Sequence, residues 1–233
     1  MNIKCYAFHK SGSMFFHRLF KKMAVENNLE YYSINSGNES QWNDKKENCI
    51  LCPLRYSPRE YDPKLTYIIH IRNPLDILIS AYYSWGWTHG GSSKTFIDRR
   101  NKIQKMSVDE YCLDDKFVNS INEKYNEMLI WIEKYKDREN VFISHYDTMY
   151  YDFPKWLQDI MNFLKLKNYN KILNSFEKEF NNKNQTHTKT DITKNRRHHR
   201  SGLSKQYLVE IKEETLDLVL KKFSNNITNY FDF

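Results

Sequence analysis

Two short segments of this 233-residue chain place cations, hydroxyls and turn-forming residues at spacings that suit an oxyanion. The first is His9-Lys10-Ser11-Gly12-Ser13, between a β-like run and a helical pattern. A glycine at such a turn lets the backbone approach a ligand closely, and the helix that follows offers N–H groups with no intrahelical acceptor. Lys10 and Ser13 add a point charge and a hydroxyl donor for the same oxygens. The second is Arg72-Asn73-Pro74-Leu75-Asp76-Ile77-Leu78-Ile79-Ser80. An arginine leaving a buried strand beside a helix start suits a forked contact with phosphate, and Ser80 lies one to two helical turns further on. Each segment also has a plainer reading. Lys10 fits a solvated glycine turn, Ser80 a helix surface, and Asp76 a complement to the helix dipole.

These residues need strands and helices to hold them, and the hydrophobic pattern supplies both. Asn2–Phe8 reads as a strand, and Phe16, Phe20 and Met23 place one apolar face on a helix from Ser13. Leu29–Ile34 and Asn48–Cys52 are further strand candidates, the latter expected to stop at Pro53. Thr66–Ile71 is a nearly continuous apolar run, suited to a buried parallel strand, and Pro74 suits the first turn of a helix to about Trp85. Gly86–Lys94 reads as a loop. Phe117, Ile121, Tyr125, Met128, Ile132 and Tyr135 recur at three- and four-residue spacings and predict a long amphipathic helix. Val141–Ser144 reads as a buried strand, Pro154–Leu166 as a helix, Asn181–Arg200 as a polar, basic loop, and Ser204–Phe223 as a last helix. Strands alternating with helices predict an α/β sandwich around a mainly parallel sheet, with ligands at the carboxyl ends of its strands. No repeat or linker divides the chain, so one domain over 1–233 is expected.

Composition narrows the classes. Apolar residues make up 40% and charged residues 28%, a balance that excludes a disordered or collagen-like chain. No apolar run reaches the ~20 residues of a membrane span, and Met1–Phe8 has no signal-peptide core, so a cytoplasmic protein is expected. Lys+Arg exceed Asp+Glu by 36 to 29, a net +7 that implies an anionic partner without naming it. Cys49 and Cys52 form a lone CxxC with no second pair to complete a zinc site. They fit buried thiols, with a redox pair as the alternative, and no metal is expected.

Taken together and in order, the segments resemble one family. Lys10-Ser11-Gly12-Ser13 after the first strand resembles the 5′-phosphosulfate loop of the sulfotransferase superfamily. Arg72-Asn73-Pro74-x-Asp76-x-x-x-Ser80 resembles its 3′-phosphate motif at every defining position. Tyr146-Asp147 is similar to its Tyr-Glu/Asp segment, and Arg200-Ser201-Gly202 to its Arg-Lys-Gly loop. The resemblance implies a P-loop-like α/β sandwich that binds 3′-phosphoadenosine 5′-phosphosulfate (PAPS) and passes its sulfuryl group in line to an acceptor. The product would be adenosine 3′,5′-bisphosphate (PAP). It further implies that Lys10 stabilises charge on the leaving phosphate, while the Ser11–Met14 backbone and the Ser13 hydroxyl cradle the 5′-phosphate. Arg72, Ser80, Arg200, Ser201 and Gly202 would serve the 3′-phosphate. Phe15 falls where many members stack an aromatic ring on adenine; core packing is its alternative. The chain departs from the family where Ser13 and Met14 replace two threonines and Lys205 and Tyr207 replace a Gly and a Trp.

The general base is left among candidates. The family's Thr-His-Leu-Pro context is here Ile50-Leu51-Cys52-Pro53, without a histidine. Several carbohydrate sulfotransferases instead use a glutamate after the first helix, which makes Glu39 the first candidate. His17, one helical turn after Ser13, is the second, with a helix-surface histidine as its alternative. His70 reads as a strand residue, and His89 lies in a loop with Trp85, Trp87, Gly90 and Gly91 that suits an acceptor wall. A small molecule or glycan, a carbohydrate or natural product bearing a hydroxyl or amine, is the expected acceptor. Two rival readings remain: a kinase-like nucleotide-binding enzyme, for which no Walker A loop is present, and a non-catalytic basic module for glycan or nucleic acid. Basic residues concentrate only around 194–200, and no nucleic-acid-binding motif appears, so no nucleic-acid partner is expected.

Overall fold

The structure, a computed structural model, describes residues 1–33, 47–181 and 202–233. They fall into two compact units: Met1–Arg72 with Glu127–Asn181, and Asn73–Asn126 with the described part of Asn182–Phe233.

The first unit carries an all-parallel five-stranded sheet. Its strands are β1 (Asn2–Ala7), β2 (Glu30–Tyr32), β3 (Cys49–Leu54), β4 (Leu65–Ile71) and β5 (Val141–His145), in the order β2-β3-β1-β4-β5. Every residue of β3 is buried, as are the last five of β4, which explains their unbroken apolar character: parallel strands are covered on both faces. Helix α1 (Ser13–Glu26) turns Phe15, Phe16, Leu19, Phe20 and Met23 into this core and packs on β2 and β3. Each such side chain contributes roughly 1.5–3 kcal/mol by leaving water. The order places β1 beside β4, with the chain moving to one side after β1 and to the other after β4. That switch point is where an open α/β sheet forms its ligand crevice. Helices α6 (Tyr146–Tyr151), α7 (Phe153–Phe163) and α8 (Tyr169–Asn181) complete the unit with the last part of α5 (Asp115–Tyr135).

The second unit begins with α2 (Pro74–Tyr83), which runs into a π-helical turn over Ser84–Thr88. It continues with α3 (Lys94–Gln104), α4 (Val108–Leu113) and the start of α5. It ends with α9 (Tyr207–Glu210), α10 (Glu213–Lys222) and α11 (Asn225–Tyr230). Asp76 in the first turn of α2 is fully buried and ties the chain end down. Its carboxylate accepts from the N–H groups of Lys205 (2.9 Å) and Tyr207 (3.4 Å), and its backbone carbonyl accepts from Gln206 Nε2 at 2.9 Å. Asp76 therefore does more than complement a dipole.

Three expectations about elements are corrected. Strand β3 passes through Pro53 to Leu54, because β2 pairs only as far as Leu51 and the β1–β3 register shifts between Lys4 and Tyr6. A proline at such an irregularity leaves no ladder bond unmade. Helical structure extends from Tyr83 through Thr88, because Gly86 is a close-packing glycine rather than a breaker. A Cβ there would meet Ile103 Cγ2 at 3.1 Å, and the Gly86 carbonyl accepts from Gln104 Nε2 at 2.7 Å. The last helix breaks at Ile211-Lys212, where Asp109 takes the Lys212 N–H at 3.0 Å. Helices α3, α4, α6 and α8 lay within stretches whose periodicity gave no such expectation. Among the described residues no helix is long and apolar enough to cross a membrane.

Candidate active site

The first strand-to-helix turn is built under backbone strain. Ser11 is fully buried and its hydroxyl donates to the Phe8 carbonyl at 2.7 Å, with the Ser11 N–H on the same oxygen at 3.2 Å. These bonds fold the chain back so sharply that Lys10 (φ 70°) and Gly12 (φ 88°) both take left-handed conformations. Glycine does so freely; a lysine pays for it, and such strain concentrates at functional sites. Gly12 is the N-cap of α1 and has no side chain to bond the helix's first N–H groups, so the helix end stays open to an acceptor from outside. Burial lowers the Lys10 pKa to about 8, with a further push from the nearby Arg55 charge. An anion placed beside Lys10 would relieve both.

The second turn meets the first. Arg72, only 4% exposed, follows β4, and its Nη1 donates to the Lys10 carbonyl at 2.9 Å across 62 positions of sequence. Its guanidinium lies over the Tyr146 ring, 4.0 Å from the centroid. Tyr146 starts α6 immediately after β5, and a Cβ at Gly12 would lie 3.6 Å from its ring. The carboxyl ends of β1, β4 and β5 thus bring Lys10, Gly12, Arg72 and Tyr146 together. Three segments singled out from the sequence converge in one unit.

His17 lies on α1 with its Nδ1 2.7 Å from the Tyr31 hydroxyl of β2. Burial lowers the His17 pKa below the ordinary value, and Lys21, Arg18 and Arg55 add to that. Arg55, just past β3, is the cation that sequence reasoning missed. Its charge acts on both Lys10 and His17; among the described residues its Nε is buried without an acceptor, and its Nη2 lies 3.4 Å from the Met14 thioether. No motif marks it; an arginine directly after a buried strand was the available signal. Phe15 is buried, with its ring edge-on to Phe153 (5.7 Å) and Phe176 (5.5 Å). Those contacts are the core packing that the sequence left as an alternative. His70 is a core residue: it is fully buried, its Nδ1 lies 2.8 Å from Ser144 Oγ, and Phe16 covers its ring at 4.2 Å. Burial pushes its pKa down to about 3, with His145 and Arg72 adding to that.

In the second unit, Ser80 is half-buried on α2. Lys205 takes φ 55°, the left-handed conformation a glycine would favour, at the position where the family pattern has glycine. Trp85, His89 and Phe96 form an aromatic cluster: Trp85 lies 4.4 Å and Phe96 5.7 Å from the His89 ring. Arg99 lies over Trp85 at 5.3 Å and Arg100 over Phe96 at 4.8 Å. Glu39, Arg196–Arg200 and Ser201 lie outside the described residues. The four cysteines form no disulfide and are buried. Cys49 and Cys52, three positions apart on one strand, sit on opposite faces, which argues against a redox pair. No cluster of potential metal ligands occurs among the described residues.

The all-parallel sheet, its β1–β4 switch point and the strained loop before α1 define a P-loop-like α/β fold. Solved structures with this fold include mouse sulfotransferase SULT7A1 complexed with PAP, at TM-score 0.63 and 16% identity, over 98% of this chain and 84% of that one. Retinol dehydratase matches in complex with androsterone and the inactive cofactor PAP (TM-score 0.54, 12% identity, 100% and 82% covered). It matches again in complex with retinol and PAP (0.56, 12%, 100% and 83%). No curated protein matches the chain significantly. The sulfotransferase domain family model matches residues 29–230, and the chain belongs to that family. It is a PAPS-dependent sulfotransferase. The matched stretch begins after the Lys10–Ser13 turn, so the reading of that turn stands on its order in the chain and on its geometry.

Proposed function

We propose that this chain, acting as one catalytic domain over 1–233, transfers the sulfuryl group of PAPS to a hydroxyl or amine of a carbohydrate or natural-product acceptor. The observation that carries the site assignment is the bond from Arg72 Nη1 to the Lys10 carbonyl. It joins the two anion-binding segments at the switch point of the sheet.

In this reading the N–H groups at the start of α1, from Ser11 to Met14, with the Ser13 hydroxyl, take the 5′-phosphate. Lys10 stabilises the charge that develops on the phosphate oxygen as the S–O bond breaks. Transfer of this kind depends on positioning and charge more than on covalent help from the protein. Arg72 presents a rigid, already oriented guanidinium to the 3′-phosphate. The family motif adds Ser80, Arg200, Ser201 and Gly202 to that role, and Phe15, packed against Phe153 and Phe176, is left to the core. His17, within a helical turn of the open α1 end, is the better supported base among the described residues, and Glu39 remains the other candidate. The residues present suit the nucleotide: a buried lysine with a lowered pKa and a stacked arginine both gain from a polyanion.

The test is twofold. PAP should bind the wild type, with Lys10→Ala and Arg72→Ala each losing affinity; unchanged affinity in both variants removes this site. Labelled PAPS offered with a panel of glycans, phenols and natural products should label one class, with His17→Ala and Glu39→Ala separating the base candidates. A panel in which neither substitution slows transfer rejects both.

A further inference from the structure

Tyr31 is outside every anion-binding segment, yet its hydroxyl lies 2.7 Å from His17 Nδ1 and 2.6 Å from the Cys52 carbonyl oxygen. The two rings meet at 5.5 Å between centroids, 64° apart in plane. Ser33 bonds the same hydroxyl and, because it lowers the Tyr31 pKa, does so as a donor. The proton count among these groups is decisive. A carbonyl oxygen only accepts, so the single phenol proton goes to Cys52. Burial raises the Tyr31 pKa far above ordinary values, so that proton stays on the oxygen at any working pH. Toward His17 the Tyr31 oxygen is therefore an acceptor, and His17 must donate through Nδ1–H. A neutral imidazole carries one N–H, which leaves the lone pair on Nε2.

We propose that Tyr31 is a positioning residue: it locks His17 in the Nδ1–H tautomer and so presents Nε2 to the acceptor as the general base. This rests on the sulfotransferase reading above. As the acceptor oxygen bonds to sulfur, its proton passes to His17 Nε2. The bond between sulfur and the phosphate oxygen breaks, and its electron pair leaves with PAP. The imidazolium formed donates from Nδ1 to Tyr31, whose own dipole is aligned by the Cys52 carbonyl. The charged groups around His17 are Arg18 and Lys21 from α1 and Arg55 from the segment after β3. All three oppose its protonation in the resting enzyme, so the ring is neutral and ready to accept. The phenol plays for His17 the role that an orienting carboxylate plays in a catalytic triad, without adding a negative charge.

The experiment uses the full chain with ¹⁵N-labelled histidine. Long-range ¹H–¹⁵N spectra should show His17 as the Nδ1–H tautomer in the wild type, and a shift toward Nε2–H or a mixture in Tyr31→Phe. A wild-type His17 in the Nε2–H form overturns the proposal without need of any variant. So does a Tyr31→Phe spectrum unchanged at His17. With water as the acceptor, release of labelled sulfate from PAPS should fall about tenfold in kcat in Tyr31→Phe, with KM for PAPS unchanged. An unchanged kcat also overturns it. PAP titrated into the same samples separates the two claims. Failure of the wild type to bind PAP removes the sulfotransferase site, whereas PAP binding with the wrong tautomer removes only the Tyr31 role.

Discussion

The two strand-to-helix turns at the ends of β1 and β4 solve the same problem in opposite ways. The turn before α1 leaves its helix end uncapped, holds Lys10 and Gly12 in left-handed conformations, and so offers backbone to a ligand. The turn before α2 satisfies itself. Asn73 Oδ1 accepts from the Leu75 N–H at 2.9 Å, Pro74 occupies the first helical position without an N–H to place, and Asp76 complements the dipole. At this helix end the Leu75 N–H is already bonded and Pro74 has none to offer an anion. What it contributes is Arg72, displayed by the strand just before the cap. In the proposed site one turn would bind with backbone, the other with a side chain.

The largest effect should come from Lys10→Ala, which removes the buried cation: kcat should fall about 10²–10³-fold, as when an oxyanion donor is lost. A loss under tenfold in steady-state kinetics would take Lys10 out of the reaction. Arg72→Ala should weaken PAP about 10–100-fold by calorimetry, the worth of a charged hydrogen-bonded contact. Arg72→Lys should not restore it, because an ammonium has neither the fork nor the flat face that lies over Tyr146. If lysine does restore it, the second turn binds by charge alone.

PAP affinity should also depend on pH through Lys10. Its pKa is about 8 in the free protein, lowered by burial and then by Arg55, and a bound anion raises it. Affinity should therefore be level below pH 8 and fall about tenfold per unit above it, until the raised value of the complex is reached. Arg55→Ala should move that break upward; a break that stays put removes Arg55 from the cluster. Gly12→Ala forces a Cβ into φ 88° at a cost of about 1–2 kcal/mol, while its new contacts with Tyr146 and Met149 are ordinary. It should lower Tm by a few degrees and weaken PAP as well. Asn73→Ala loses a cap worth about 1 kcal/mol and should lower Tm with PAP affinity nearly unchanged. Equal loss of PAP affinity in both variants would erase the contrast between the turns.

Much of this was legible without coordinates. The buried strands announced themselves as unbroken apolar runs, α1 and α5 by their periodicity, and the two turns that meet through Lys10 and Arg72 by residue type. The misses share a cause. Pro53, Gly86 and the break at Ile211 were read by local propensity, and each was decided by a partner distant in sequence: the shifted β1–β3 register, Ile103 and Asp109. Arg55 and Tyr31 were invisible because their roles come from neighbours rather than motifs.

By itself the sequence determined the alternation of strands and helices, the basic surplus and the order of the two strand-to-helix turns, since periodicity, charge and turn chemistry are properties of local residue strings. Only the tertiary structure decided that Arg72 grips the Lys10 carbonyl, that Phe15 packs in the core, and that the Tyr31 hydroxyl meets His17. Those outcomes depend on which strands become neighbours. That is settled by where the whole chain buries its apolar surface, and no single segment encodes it.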